Sequence, residues 1–363
     1  MDGPGDPVRP LATGPADDRP PLHPLAWLVW LGSVLAALTA TRNPVYLALA
    51  LGCIGLAHSQ ARRRAYAPPP PLSPLRFGLV VVPLGALLNA LSTHYGETVV
   101  LTFPRWLPLI GGPITLEALV YGGLNGLVLT GLFAAFTALY LGLSVQALVR
   151  LIPRAFYPVA VVLSIALAYV PTTFAQLQQI REAQTMRGYR PRGLRDALPL
   201  VMPLLVSGLE NALHLAEAMT ARGFGSAAAP RPRLARPLQA AGLVGVVSAL
   251  ILRLAGQQSP AVALLLAGGA VLVAVGLWLQ GRSFRRTVYR PQPVTPRDLL
   301  VAMAAAATAV FYLAPTAARV SLAYTPYPRL SPPPVDWAAA LATLGLVAPG
   351  LALAVFSRRQ SAA

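Results

Sequence analysis

LENALHLAEAMTARGFG, residues Leu209 to Gly225, is a helix-forming stretch with a charged face, set in a chain otherwise built for lipid. It carries Glu210, His214, Glu217 and Arg222, while long uncharged apolar runs lie on both sides. A second stretch of the same shape, QLQQIREAQTMRGYR, occupies Gln176 to Arg190. Each ends on Arg-Gly, at Arg187-Gly188 and Arg222-Gly223, 35 positions apart. What the flanking runs do decides the fold. What the two endings do decides the function.

Composition settles the class. Of 363 residues, 55% are hydrophobic and only 11% charged, and mean hydropathy is +0.59. Soluble domains are about 25% charged. A chain with this little polar surface cannot cover a water-soluble body, so an all-α polytopic membrane protein is expected. All 29 basic residues are arginines, against 12 acidic residues, for a net charge of +17. In so apolar a chain, a basic excess marks cytoplasmic loops rather than nucleic-acid binding. Without lysine there is no P-loop, whose lysine reaches the nucleotide phosphates. If ATP drives this protein, another chain binds it. The single cysteine, Cys53, forms no internal disulfide and reads as a small core residue.

Membrane-length apolar runs fall near 25–41, 44–58, 76–91, 116–142, 238–255, 261–280, 299–315 and 337–356. That is about eight transmembrane helices in two groups of four. Residues 1–21 lack any apolar stretch and are expected to be a disordered tail. The divisions that follow are 22–143 for the first membrane helices, 144–237 for a basic middle region and 238–363 for the second set. Arginines cluster at 62–64, through 150–236, at 282–297 and at 358–359. Only Arg42, Arg105, Arg319 and Arg329 occupy the opposite loops, with Arg253 near a helix end. The positive-inside bias puts both termini and the middle region in the cytoplasm.

Within 172–237, nine arginines face Glu182, Asp196, Glu210 and Glu217, yet apolar residues still recur at helical spacing. Phe174, Leu177 and Ile180 make one face, and Leu205, Leu209, Ala212, Leu213 and Ala216 another. Pro191 and Gly193 in GYRPRGLRDALP break the helix between them. The middle region therefore reads as two amphipathic helices joined by a basic turn. Gly188 and Gly223 suit the left-handed position that closes a helix. An arginine in the last turn faces the negative end of the helix dipole. One such ending is an ordinary cap. Two of them could also present guanidinium groups to two similar acidic sockets, each binding a carboxylate bidentately.

The motifs Met186-Arg187-Gly188 and Ala221-Arg222-Gly223 resemble the paired Ala-Arg-Gly-type motifs of the transmembrane subunit of energy-coupling factor (ECF) transporters. That family, EcfT/CbiQ, includes the cobalt-transport permease CbiQ. AYVPTTFAQLQQIREAQTMRG, with Pro171, Glu182, Ala183 and Gln184, resembles the family's approach to its first motif, and LENALHLAEAMTARGFG its second. LHPLAWLVW is similar to its opening segment. The likeness covers about residues 22–237 and is strongest from 155 to 225. Met186 stands where the motif has Ala, and the tail past 237 is longer than the family's usual end.

The resemblance implies a non-catalytic mechanical part in a cell membrane. Two ABC-type ATPase subunits would take Met186, Arg187, Gly188, Ala221, Arg222 and Gly223 in their grooves. A substrate-binding membrane protein, the S component, would rest on Phe174, Leu177, Ile180, Leu205, Leu209, Leu213 and Ala216. It implies no cofactor in this chain, ATP being bound by the partners, and cargo such as a vitamin or transition metal chosen by the S component. The alternative is a self-sufficient secondary transporter, which would need charged or broken-helix sites near mid-membrane in both halves. A membrane enzyme would need clustered His, Asp or Glu, but the four histidines are scattered at 23, 58, 94 and 214.

Other polar features have plainer readings. Glu210, His214 and Glu217 share one helical stripe and read as an ion-paired row rather than a metal site, for want of a fourth ligand. His94, Tyr95 and Glu97 read as loop residues, and His58 as a polar flank. Trp27, Trp30, Trp106 and Trp337 sit near span ends and read as interfacial anchors. Glu117 suits a helix N-terminus. Gly122, Gly123, Gly126 and Gly131, around Asn125, read as a close helix–helix contact.

Overall fold

The computed structural model describes residues 22–63, 70–93, 95–102, 112–189, 198–224, 234–257, 259–282, 294–314 and 322–360. The expected apolar runs fold as helices, with ends set by local chemistry. In chain order these are α1 (Pro24–Ala40), α2 (Pro44–Arg63), α3 (Pro74–Ser92), β1 (Val99–Thr102), β2 (Pro113–Thr115) and α4 (Leu116–Gly142). Next come α5 (Val145–Arg150), a 3₁₀ turn (Arg154–Phe156), α6 (Tyr157–Met186), α7 (Leu198–Ala221), α8 (Ala235–Leu254) and α9 (Pro260–Arg282). Last are α10 (Pro296–Leu313), α11 (Trp337–Leu344), a 3₁₀ turn (Gly345–Val347) and α12 (Ala348–Gln360).

Side-chain caps open several helices. Ser73 accepts from the Arg76 N–H at 3.4 Å, with Pro74 following, and Thr115 accepts from Ala118 N–H at 3.4 Å. Thr295 and Asp298 form a reciprocal capping box, with Pro296 in the first turn. These caps satisfy backbone donors that the first turn of each helix leaves without an intrahelical partner.

Among the described residues, nine helices are long and apolar enough to cross a membrane, and α1, at 17 residues, is a shorter apolar helix. The chain is an all-α polytopic membrane protein, with one small antiparallel strand pair between β1 and β2. All eight expected runs are present. The difference lies in the middle: α7 and the stretch Arg154–Met186 also have membrane-spanning length and composition. The first half of α6, Val159 to Val170, is as apolar as any span. Arg154 and Arg181 flank it, and their charge places it within the basic region by sequence alone. The 1–21 tail and the Pro191–Gly193 break lie outside the described residues.

The chain packs as two units. The first comprises residues 1–147 with 290–363, the second residues 148–289. In the first, α3 and α4 cross closely. A Cβ on Gly122 would stand 2.3 Å from the Gly85 carbonyl oxygen, and one on Gly126 would stand 2.7 Å from Val82 Cα. Phe77 and Phe133 stack at 4.3 Å. Gly131 abuts Leu38, whereas Gly123 faces open space.

The reading of Trp27 and Trp30 as interfacial anchors is overturned. Trp27 is 1% and Trp30 0% exposed, and they meet edge-to-face at 5.6 Å. Trp30 Nε1 donates to the Leu346 carbonyl at 2.9 Å, and a Cβ on Gly142 would strike Trp27 at 2.5 Å. Both are core residues, because α10, α4 and the 3₁₀ turn Gly345–Val347 pack against α1. Trp337 is exposed, and Trp106 lies outside the described residues. Cys53 is buried and free.

In the second unit, α8 and α9 form a tight hairpin. A Cβ on Gly242 would lie 2.7 Å from the Gly269 carbonyl oxygen, and one on Gly269 would lie 2.8 Å from the Gly242 carbonyl oxygen. Gln239 Nε2 donates to Gln280 Oε1 at 2.9 Å between the two helices. Here α6 and α7 also pack on each other.

Candidate functional site

Both Arg-Gly endings are built as the same cap. At the end of α6 the Gly188 N–H donates to the Thr185 carbonyl at 3.0 Å and the Tyr189 N–H to the Gln184 carbonyl at 3.0 Å. At the end of α7 the Gly223 N–H donates to the Thr220 carbonyl at 2.9 Å and the Phe224 N–H to the Met219 carbonyl at 2.9 Å. These are two Schellman motifs, in register, with each glycine left-handed at φ 78° and 77°. In each, a threonine hydroxyl also bonds back to a glutamate carbonyl: Thr185 to Glu182 at 2.7 Å, Thr220 to Glu217 at 2.8 Å.

The repeat is therefore longer than Arg-Gly. Glu182-Ala-Gln-Thr-Met-Arg-Gly-Tyr189 and Glu217-Ala-Met-Thr-Ala-Arg-Gly-Phe224 align over eight positions. Thr185, Thr220, Tyr189 and Phe224 join the motif pair, and a 35-residue offset of the sequence against itself is the signal that reveals them.

The cap fixes where each arginine stands. Arg187 and Arg222 are the last residues before the left-handed glycine, so their side chains leave from the helix tips. Both are exposed. Among the described residues neither guanidinium has a carboxylate within 4 Å. Met186 is 89% exposed, and nothing lies within 4 Å of a Cβ placed on Gly188. Among the described residues each tip carries an arginine with no carboxylate partner, and the tip of α6 has clear space beside Gly188.

The apolar faces behind the tips are largely bare. Phe174, Leu205, Leu209 and Leu213 are exposed, as is Ala216, while Leu177 and Ile180 are half-buried. None of the residues of α7 is buried. Phe174 and Leu177 border a cavity of about 330 Å³ shared with Arg181 of α6 and Leu200 of α7. Leu205, Leu209 and Leu213, at i, i+4 and i+8 on α7 and each more than half exposed, form with Phe174 of α6 an apolar surface for lipid or for another membrane helix.

The remaining polar candidates are placed as follows. His214 Nδ1 stands 3.8 Å from Glu217 Oε2, both well exposed. Among the described residues no three His, Cys, Asp or Glu side chains gather as metal ligands. Glu117 is fully buried in the first turn of α4 and accepts from the Thr98 N–H at 3.1 Å, tying the strand pair to the helix. Glu97 pairs with Arg329. His94 lies outside the described residues. His58 Nδ1 lies 3.3 Å from Thr137 Oγ1.

The family model for cobalt transport proteins, CbiQ, matches residues 20–233. The chain belongs to the CbiQ family. Its relatives include proteins named energy-coupling factor transporter transmembrane protein EcfT. That of Brevibacillus brevis is 33% identical over 107 residues, 28% of this chain and 40% of the relative. That of Lactobacillus helveticus is 39% identical over 83 residues, 21% and 30% respectively. That of Lacticaseibacillus paracasei is 41% identical over 71 residues, 18% and 27%. The chain thus spans two fifths or less of the relatives' lengths in these matches. Both Arg-Gly caps fall within the CbiQ match, and α8 to α12 lie past its end.

Proposed function

We propose that this CbiQ-family chain is the transmembrane coupling subunit of an ECF-type importer. The carrying observation is the pair of matching caps, each presenting at an exposed helix tip an arginine that, among the described residues, has no carboxylate partner. Arg187 and Arg222 each enter a groove on one ATPase subunit and bind a carboxylate there, with Met186, Gly188, Ala221 and Gly223 as the close-fitting neighbours. Closure of the ATPase pair on ATP moves one tip relative to the other. Because the tips are rigid ends of α6 and α7, the helices move with them. The bare apolar faces of those helices hold a substrate-binding S component, which is reoriented and releases its cargo inside.

In this reading the chain does no chemistry itself and binds no cofactor. It resides in the cell membrane with both termini and the two helix tips on the cytoplasmic side, as the arginine distribution supports. The cargo belongs to the S component.

Co-purification with the candidate ATPases tests the reading. Wild type is compared with Arg187→Glu, Arg222→Glu and the double variant. Losing one charge-assisted pair costs about 1.5–3 kcal/mol, and reversing the charge costs more. Graded loss in the single variants and near-complete loss in the double is expected. Undiminished ATPase retention in the double variant would reduce the two motifs to ordinary caps.

A further inference from the structure

A cavity of about 1030 Å³ lies away from the helix tips, between α2, α3 and α4. Its two ends differ in chemistry. Arg62 and Arg63, in the last turn of α2, and Ser73, the cap of α3, line one end. Leu51, Val82 and Leu127 line the other, and no carboxylate lines it anywhere. Both arginines are exposed, and among the described residues neither has a carboxylate within 4 Å. Ser73 Oγ accepts from the Arg76 N–H, which leaves its own proton to donate.

The shape matches the chemistry. From Arg62 to Leu51 the α2 wall runs eleven residues, roughly 16 Å of helix. That is about half of the roughly 30 Å hydrocarbon core, the depth of one leaflet. Gly55 keeps the wall open midway, since nothing lies within 4 Å of a Cβ placed there. The floor is closed where α3 meets α4, with Gly78 against Thr130.

We infer that this groove holds one anionic phospholipid. Its phosphate sits between Arg62, Arg63 and the Ser73 hydroxyl, and an acyl chain lies along Gly55 toward Leu51. Unpaired guanidinium groups bind phosphate oxygens through charge-assisted hydrogen bonds. Walls of one-leaflet depth suit an acyl chain, for which a free phosphate has no counterpart. A zwitterionic lipid would set its own cation beside two arginines. The groove thus fits an anionic lipid best, and this inference does not depend on the coupling function.

Native mass spectrometry of the full-length chain in detergent tests it, with phosphatidylglycerol, phosphatidylcholine and inorganic phosphate as probes. One retained phosphatidylglycerol per chain is expected, with phosphatidylcholine retained far less. Arg62→Gln/Arg63→Gln should weaken phosphatidylglycerol retention by roughly 30-fold, from the contributions of two cations near an anionic headgroup. Arg62→Lys/Arg63→Lys should restore most of it, and Gly55→Leu should block the chain and lower retention with both arginines present. Size-exclusion profiles establish that each variant remains folded. Equal retention of the two lipids, or retention untouched by both Arg→Gln and Gly55→Leu, would overturn the proposal. So would displacement of the lipid by millimolar inorganic phosphate, which would make the basic end a phosphate site alone.

Discussion

Gly188 and Gly223 are held at φ 78° and 77°, where an L-residue with a Cβ is disfavoured by about 1–2 kcal/mol. At Gly188 the penalty is purely conformational, because a Cβ there meets no atom within 4 Å. Gly188→Ala should therefore weaken the cap by about 1 kcal/mol. Gly188→Asn should cost less, since asparagine tolerates the left-handed region. The checking measurement is amide hydrogen exchange at Gly188 and Tyr189, whose N–H groups close the cap. Exchange should quicken roughly fivefold in the alanine variant and by less in the asparagine variant. Equal rates in all three would mean that the bonds to Thr185 and Gln184 do not hold the tip in place. The same residues show why the caps could be read in advance. Glycine after a basic residue is a local signal, and backbone conformation at a helix end is decided locally.

At the scale of the element, the contact between α3 and α4 rests on backbone approach. Gly122→Ala would place a Cβ 2.3 Å from the Gly85 carbonyl oxygen and 2.8 Å from Ala86 Cα. Both obstacles are backbone, which cannot swing aside as a flexible side chain can. Such overpacking costs typically 1–3 kcal/mol. Gly123→Ala, one residue along, meets nothing within 4 Å and should stay within about 0.5 kcal/mol of wild type. Thermal unfolding in detergent should therefore separate the two variants. Equal transitions would mean that α3 and α4 are not so closely apposed. The glycine cluster advertised this contact in sequence, but which face of α4 it served was not readable, so Gly123 was grouped with the others. Long-range packing hid more. Nothing local in LHPLAWLVW distinguishes a tryptophan facing the lipid headgroups from one buried under a helix three hundred residues away. The apolar half of α6 was hidden by charge at both its ends.

At the scale of the molecule, the family match ends at residue 233, yet the helices beyond 290 pack into the same unit as α1 and α2. The contacts are polar as well as apolar. His23 N–H donates to Asp298 Oδ1 at 2.7 Å, and Thr41 Oγ1 to the Leu322 carbonyl at 3.0 Å. Asn43 Nδ2 donates to the Pro334 carbonyl at 2.7 Å, and the Asp336 N–H to the Tyr46 hydroxyl at 2.6 Å. With Trp30 bonded to Leu346, these hydrogen bonds join segments distant in sequence. In a bilayer, each broken bond leaves a polar group without water to replace the partner. The stretch from 290 onward is thus a wall of the first unit rather than an appendage. Residues 1–289 and 290–363, co-expressed as separate chains, should therefore reassemble and co-purify in detergent. Asn43→Ala and Trp30→Phe should each weaken the pairing by about 1–3 kcal/mol, the cost of leaving a buried partner unsatisfied. The combined variant should let the fragments part at lower detergent concentrations. If the unmodified fragments separate freely, the core that buries Trp27 and Trp30 does not need the C-terminal helices. If they hold together, the stretch past 290 supports α1 and α2.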